Sequence, residues 1–395
     1  MDRQALVVGA GIGGLCAALF LARKGWRVTL AERDDPPREA GAGLQLSPNA
    51  TLLVDRLNLM PAILASAVKP KSLLIRAATG SELAQTPLGE FAETRFGAPF
   101  LVVHRGAFHA ILRQAAEANS AIQLLAGHRL IELRETASTA TGLFETAHGE
   151  TRLEAALLVG ADGVWSRVRP LIGLPQPSIP ARKTAWRTLL PAHDVPGFAR
   201  RLQVNLWLGR NAHLVHYPVN GGRDINVVAI IDEDWRSEGW SEPGEPTSLN
   251  KRFDEWHGDA RALVGASRVW TRWALVDRAP EHRWSRQRIT LLGDAAHPMM
   301  PFLAQGASQA IEDAACLAHS LGEARTDASL SSQLAHYDRA RLARTARIQG
   351  LAREQGTIYH LGGPLAVARN LALQLLPGRS LLERHAWIYA HDAEA

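Results

Sequence analysis

Three glycines within the first fourteen residues constrain this chain more than any other feature. Residues 5–8 form an apolar run of strand length; Gly9, Gly11 and Gly14 follow in G-x-G-x-x-G spacing; Leu15, Ala18, Leu19 and Ala22 then recur with helical period. Gly25 closes that helix, and residues 28–30 read as a second strand ending at Glu32. In such a strand–turn–helix–strand unit each glycine has its own steric task. Gly9 allows the sharp turn, Gly11 lets backbone approach a pyrophosphate, and Gly14 lets the helix pack closely on the sheet. The unpaired N–H groups and positive dipole end at the helix start favour phosphate. Glu32, 21 residues beyond Gly11, stands where a carboxylate accepts hydrogen bonds from ribose hydroxyls. The flanking elements and the acid at this offset separate the pattern from an ordinary turn. They specify a dinucleotide and leave NAD and FAD both open.

A chain of 395 residues suits two domains sharing an interface rather than one core. The net charge of +5 favours anionic ligands, and with no compact basic run nucleic acid is not expected. Cys16 and Cys316 each fall in a helical apolar pattern, so they read as small core residues of a reducing compartment; no metal-ligand pattern is read. The first strand begins within five residues of Met1 and no apolar run reaches spanning length, so a cytoplasmic protein without a membrane role is expected.

Beyond a charged loop at 33–39, two glycines at 41–46 suggest backbone pressed against something flat, although a plain turn reads the same. Ser47 or Asn49 caps a helix at 50–57. Alternating strands at 72–77 and 83–88, joined through Thr79-Gly80, do not belong to a βαβ repeat. A helix follows at 105–119, then strands at 122–125, 129–135, 141–146 and 153–159, and a proline-rich linker at 170–180. Strands at 184–190, 203–208, 213–218 and 224–231 predict a second, largely antiparallel sheet to which 72–88 returns. The first unit resumes at 289–294, with a loop at 298–306, a helix at 307–321 and a mostly helical remainder, 331–395. Arg339, Arg341, Arg344, Arg347 and Arg353 read as a solvated face. No second G-x-G-x-x-G occurs.

The glycine fingerprint with Glu32, Asp162-Gly163 within residues 160–169, and Gly293-Asp294 within Gly293-Asp294-Ala295-Ala296-His297-Pro298 together resemble the three signatures of the single-component (group A) FAD-dependent aromatic monooxygenases. The branch resembled is that of salicylate hydroxylase, 3-hydroxybenzoate 6-hydroxylase and 6-hydroxynicotinate monooxygenase. The likeness extends through Ala185-Trp186-Arg187, Tyr217-Pro218, residues 305–314 and Trp387-Ile388-Tyr389. It implies an α/β Rossmann-like FAD-binding domain (1–70, 98–175 and 275–325), an interleaved, largely antiparallel α+β substrate domain (71–97 and 176–274) and a helical C-terminal region (326–395). It also implies bound FAD and transient NADH or NADPH. One fingerprint, filled by FAD, leaves the nicotinamide nucleotide no Rossmann domain of its own.

By that resemblance, Gly9, Gly11, Gly14, Glu32 and Arg33 hold the adenosine and phosphate end, and Gly43, Leu44 and Gln45 lie along the flavin ring. Arg105 reaches the ribityl and phosphate region, and Asp294 accepts from the ribityl hydroxyls. Gln305, Gly306 and Ala307 begin a helix whose positive end faces the flavin pyrimidine. Asp162 serves FAD and the reductant; the alternative for it is a helix cap.

The implied reaction is reduction of FAD by NAD(P)H, capture of O2 as a flavin hydroperoxide and hydroxylation of a small phenolic or aromatic carboxylate. It needs a base near neutrality, because a phenolate is the better nucleophile. In an extended strand His213, Val215 and Tyr217 share one face, which makes His213 the candidate base and Tyr217 a hydrogen-bond partner of the substrate. The alternative is a satisfied sheet histidine. His216 faces the other way, and His297 belongs to a structural turn. Residues 299–304 are apolar where several relatives carry a polar side chain, and Ser47 stands where some have histidine. A flavin monooxygenase of a larger secondary metabolite and a non-hydroxylating FAD redox sensor are the competing functions. A homodimer is compatible with the resemblance, and the sequence leaves oligomeric state, NADH against NADPH, and decarboxylative against simple hydroxylation open.

Overall fold

The computed structural model describes residues 3–34, 42–175, 182–237, 239–322 and 329–395. Most of the expected 33–39 loop, Gly41 and residues 176–180 of the proline-rich linker therefore lie outside the described residues.

Five short apolar strands build a parallel sheet in the order Ile289–Leu291, Leu157–Gly160, Gln4–Val8, Arg27–Ala31, Ile122–Leu125. They are largely apolar because helix Ile12–Arg23 and the three-stranded sheet of residues 129–155 both pack against them. Helix Ile12–Arg23 starts at Gly11 and is buried nearly all round, packed between the sheet and helices Arg105–Glu117 and Gly306–Gly322. A side chain at Gly14 would put Cβ 1.8 Å from the Gly9 carbonyl oxygen, so the helix can approach the turn this closely only with hydrogen there. Gly9 itself has φ +101°, which an L side chain rarely adopts.

The second large sheet has eight strands in the order Ser241–Gly244, Trp270–Ala274, Thr184–Pro191, Asp224–Ile231, Ala212–Val219, Gln203–Gly209, Ser72–Ala77, Glu82–Pro87. It is antiparallel except where Ser72–Ala77 runs parallel to Gln203–Gly209, so the early hairpin does join the later strands. One face packs on helices Pro246–Phe253 and Gly258–Gly265 through Trp186, Trp207, Leu214 and Ala229. The other faces the nucleotide-binding half of the chain.

Several local expectations need correction. The strand expected at 153–159 is two: Gly149–Ala155 belongs to a three-stranded sheet and Leu157–Gly160 to the parallel sheet, the chain changing sheets at Ala156, whose N–H donates to the Gln4 carbonyl at 3.0 Å. The helix expected at 50–57 spans Pro48–Asp55; Ser47 takes the cap position, but its hydroxyl donates to the Asn49 side chain instead of accepting from a backbone N–H. Pro170, expected to open a linker, lies inside helix Val168–Leu171.

The largest correction concerns the arginines. Arg339 and Arg347 are exposed as expected, whereas Arg341 is 1% exposed and Arg344 half-buried. On the 30-residue helix Leu330–Tyr359, Arg341 donates to Asp313 at 2.7 Å and Glu312 at 2.5 Å, and Arg344 donates to Glu312 at 2.7 Å. Asp313 also accepts from the Gly293 N–H at 2.8 Å and bonds His297 Nε2 at 2.5 Å. Burial pushes both carboxyls up, yet their cationic partners outweigh it and bring each down to about 2.

Both cysteines are free and buried, and among the described residues no helix is long and apolar enough to cross a membrane.

Replacing Arg341 by Met leaves two buried carboxylates short of a partner, and the loss expected is about 3–5 kcal/mol in urea unfolding at pH 7. The sign with pH follows from the depressed carboxyls: their stabilisation is complete above roughly pH 5 and is lost as pH falls toward 2. The variant should therefore lose stability less steeply than the parent between pH 5 and pH 3.

Candidate cofactor and substrate site

At the carboxyl ends of the parallel strands, the glycine turn, Glu32, residues 160–163 and residues 292–294 converge. The Glu32 carboxylate accepts the Ala10 N–H at 2.7 Å and the Asp34 N–H at 3.0 Å, which seats it over the turn. His109 from the neighbouring helix bonds the Ala10 carbonyl at 2.7 Å and pins the same loop. Arg33 is exposed, its Nε 3.6 Å from Asp34. Asp162 does cap a helix: Oδ2 accepts the Arg167 and Val168 N–H groups at 2.6 and 3.2 Å. Its Oδ1 is buried without a partner, so capping accounts for half the carboxylate. Burial raises the Asp162 carboxyl, against the opposing bonds from Ser166 and the backbone.

Asp294 follows the Ile289–Leu291 strand. It is open to water although protein surrounds it, the situation of a carboxylate on a cleft floor. Burial raises it, and the charges of His297 and Arg105 pull it back. Arg105 opens its helix, with its backbone N–H on the Ala42 carbonyl at 2.8 Å. Gly43 and Leu44 belong to strand Gly43–Leu46, paired antiparallel with Leu101–His104. Helix Gly306–Gly322 begins at the cleft. The Gln305 side chain turns away from it, donating to Ser47 at 2.8 Å and accepting from Asn49 at 3.2 Å, so Gln305 offers the cleft only its backbone, followed by Gly306 and Ala307.

Two glycines test whether a cofactor fits here. Beyond the adjoining backbone, no protein atom lies within 4 Å of where a Cβ at Gly11 or Gly306 would stand, and neither has positive φ. Nothing in the protein demands glycine at these two helix starts, and a phosphate or ring lying against them would meet bare backbone. Together with the orphaned Asp162 Oδ1 and the open Asp294, the residues fit FAD.

The inner face of the eight-stranded sheet presents three rows set by its register. His213, Ile230 and Ala185 form the first; Val215, Val228 and Arg187 the second; Tyr217, Asn226 and Leu189 the third. Phe302, Tyr359 and Met300 cover the first row. Gly43 covers the third: its N–H donates to Asn226 Oδ1 at 2.6 Å, and Gln45 hydrogen-bonds the Tyr217 hydroxyl. The middle row alone is half-buried throughout, so the opening in this face lies between His213 and Tyr217. Leu303, just before the Gly306–Gly322 helix, packs against the same apolar cluster.

His213 is 2% exposed, and its Nδ1 lies 2.8 Å from His360 Nε2. Burial, with His360 and Lys183, drives its pKa well below the usual imidazole range. His216 faces the opposite side against Phe198, neither ring nitrogen having a partner. His297 is held by Asp313 in the 293–297 turn. Arg187, in sequence only one member of the Ala185-Trp186-Arg187 motif, has a buried Nε without a partner and stacks on Trp273, and burial followed by Arg105 lowers its pKa. The signal was present in sequence: Arg187 is the single charge in Thr184–Pro191 and shares the parity of Ala185 and Leu189.

A family model described as FAD binding domain matches residues 2–351. The chain is 38% identical to 3-hydroxybenzoate 6-hydroxylase 1 of Aquipseudomonas alcaligenes, over 98% of this chain and 97% of that protein. It is 35% identical to 3-amino-4-hydroxybenzoate 2-monooxygenase of Streptomyces cremeus, over 99% and 96%. A salicylate hydroxylase substrate complex superimposes with a TM-score of 0.82 at 25% identity, covering 99% of this chain and 96% of that one.

Gly11→Ala separates the cofactor from the fold. With open space at its Cβ, the protein without FAD should lose no more than about 1 kcal/mol in thermal unfolding. The affinity for FAD, read by fluorescence titration, should fall by about tenfold or more.

Proposed function

We propose, for a chain that belongs to the FAD binding domain family and is a flavin-dependent aromatic hydroxylase, that its substrate is a small phenol carrying a carboxylate. The phenolic oxygen lies toward His213 and the carboxylate toward Arg187. The supporting observation is Arg187, a cation with a buried unpaired donor in an otherwise apolar row. Such a group is costly unless an anion meets it. The relatives' names fit this choice, since 3-hydroxybenzoate and 3-amino-4-hydroxybenzoate both join a ring hydroxyl to a carboxylate. Standard sheet spacings put the His213 and Arg187 backbones roughly 12 Å apart, which leaves room for one ring between the two side chains.

FAD, when bound, supplies oxygen transfer to the ring, with NAD(P)H as reductant and O2 as oxidant. The chain's own residues prepare the ring and the site. His213 takes the phenolic proton, Tyr217 hydrogen-bonds the substrate, and Arg187 fixes which carbon faces the cofactor. Val215, Val228, Phe302 and Leu303 exclude water. The start of helix Gly306–Gly322 offers unpaired N–H groups to negative charge on the reduced cofactor. A cytoplasmic setting suits the two buried thiols and the supply of NAD(P)H.

The test is anaerobic reduction of the FAD-loaded protein by NADH and NADPH, with and without hydroxybenzoates, hydroxynicotinates and salicylate, followed by oxygen and product analysis. One ring should accelerate reduction and return hydroxylated; if none changes the rate, the assignment fails. Arg187→Leu should weaken binding of the carboxylated ring by about 2–3 kcal/mol, roughly a hundredfold, while the same phenol without its carboxylate binds as before. His213→Ala should retain FAD and lose hydroxylation at neutral pH by on the order of a hundredfold or more.

A further inference from the structure

We propose that His213, His360 and Asp232 form a proton relay that carries the phenolic proton from the substrate site to bulk water. The inference rests on the phenol-hydroxylase reading and goes beyond it, by assigning functional positions to two residues outside the substrate wall.

The chain of contacts is continuous. His213 Nδ1 lies 2.8 Å from His360 Nε2, and His360 Nδ1 lies 2.7 Å from Asp232 Oδ1. His213 and His360 are 2% and 6% exposed, whereas the Asp232 side chain is 31% exposed, so the line runs from the interior to solvent. Three separate parts of the fold supply it: the inner face of strand Ala212–Val219, the end of helix Leu330–Tyr359, and the residue after strand Asp224–Ile231.

One tautomer assignment satisfies both bonds of the relay. Asp232 is ionised, because its bonds to His360 and Lys183 outweigh the effect of burial and lower its pKa. A carboxylate only accepts, so His360 carries its proton on Nδ1. A neutral His360 then accepts at Nε2, so His213 donates from Nδ1 and keeps a bare lone pair on Nε2. Lys183 Nζ lies 3.4 Å from His360 Nδ1 and also bonds Asp232. Two donors cannot satisfy each other, so Asp232 is the acceptor both share.

This arrangement removes a difficulty in using His213 as a base. Burial, with His360 and Lys183 behind it, disfavours an imidazolium at His213. A relay makes none. The phenolic O–H breaks as a proton reaches His213 Nε2, the Nδ1 proton passes to His360 Nε2, and the His360 Nδ1 proton passes to Asp232 and on to water. One proton leaves, one negative charge stays on the phenolate oxygen, and both imidazoles remain neutral. The path run backwards returns a proton to the product oxygen and restores the starting tautomers. The charged and titratable groups facing it are Lys183, Asp232, Tyr359 and, against His360, Arg369. The buried tyrosine hydroxyl, raised far above its usual range, stays neutral throughout.

The experiment uses FAD-loaded, oxidised protein without nicotinamide nucleotide, with 3-hydroxybenzoate as probe. A stopped-flow pH jump from 6 to 9 is followed by ultraviolet difference absorption of the bound phenolate. The unmodified protein should develop phenolate rapidly. His360→Gln should slow its appearance by on the order of a hundredfold, with probe affinity, FAD content and the final phenolate fraction unchanged. Asp232→Asn, which keeps shape at an accessible position, should slow it in the same direction. A merely structural role for either residue would alter affinity or FAD content and leave the rate alone. A parent-like rate in both folded variants overturns the relay while the phenol-hydroxylase reading stands. If the unmodified protein binds 3-hydroxybenzoate and forms no phenolate, or does not bind it, that reading fails and the relay with it.

Discussion

The buried meeting of Glu312 and Asp313 with Arg341, Arg344 and His297 is the constraint on which the rest of the molecule depends. It lies in the interior of helix Gly306–Gly322, and beyond the arginines the two carboxylates reach different parts of the fold. Asp313 holds the Gly293 N–H and His297, which sets the turn that carries Asp294. Glu312 holds Asn49 at 2.6 Å and Gln309 at 3.0 Å, and Asn49 and Gln309 both donate to the Gln305 side chain just before the helix. A charge cluster of this kind adds little net stability over an apolar packing of equal volume. Its directional bonds instead fix where the helix begins and how it is rotated. That start is the place from which the helix faces the cofactor cleft.

The same arginines belong to a helix that touches both halves of the protein. Helix Leu330–Tyr359 is about 45 Å long at 1.5 Å per residue. Near its start the Tyr337 hydroxyl donates to the Leu291 carbonyl at 3.0 Å, on the edge strand of the parallel sheet. Farther along, Gln349 donates to the Pro298 carbonyl at 2.9 Å, and Arg353 pairs with Asp277 at 2.5 Å. It ends where Tyr359 and His360 pack against His213. One rigid element therefore positions the Asp294 turn, the 298–304 loop and the partner of the buried histidine together. A shift at Arg341 would be felt at both ends of the site.

The parts of this arrangement legible in the sequence depend on short-range stereochemistry. A glycine needed for close packing at Gly14 and the period-2 alternation that puts His213 and Tyr217 on one face are visible within a few residues. The obscure parts are decided by distant partners. Arg341 looks solvated because helix Leu330–Tyr359 carries arginines on more than one face, and the acids that bury it lie 28 and 29 residues earlier, in a helix otherwise rich in alanine. The break at Ala156 is hidden because residues on either side suit a strand equally, and only the choice of sheet differs. His360, 147 residues from His213, carries no local mark of its partner. Asp162 shows that two readings of one residue need not compete, since one carboxylate oxygen caps a helix and the other is unpartnered.

The electrostatics of the pocket explain why a proton exit belongs beside this substrate. Arg105 lies close enough to disfavour the charge on Arg187, and Arg187 has an unpaired buried donor. The wall is therefore under-supplied with negative charge before any ligand arrives. A carboxylate relieves part of that deficit, and a phenolate relieves more. Holding the phenolic proton on His213 would place a third cation in the same apolar enclosure and undo the gain. At a 4 Å separation the difference between a screened and an unscreened pair of charges is several kcal/mol, more than a hydrogen bond at the site could return. Passing the proton through a neutral imidazole to the half-exposed Asp232, already balanced by Lys183, leaves the negative charge inside and the positive charge in water.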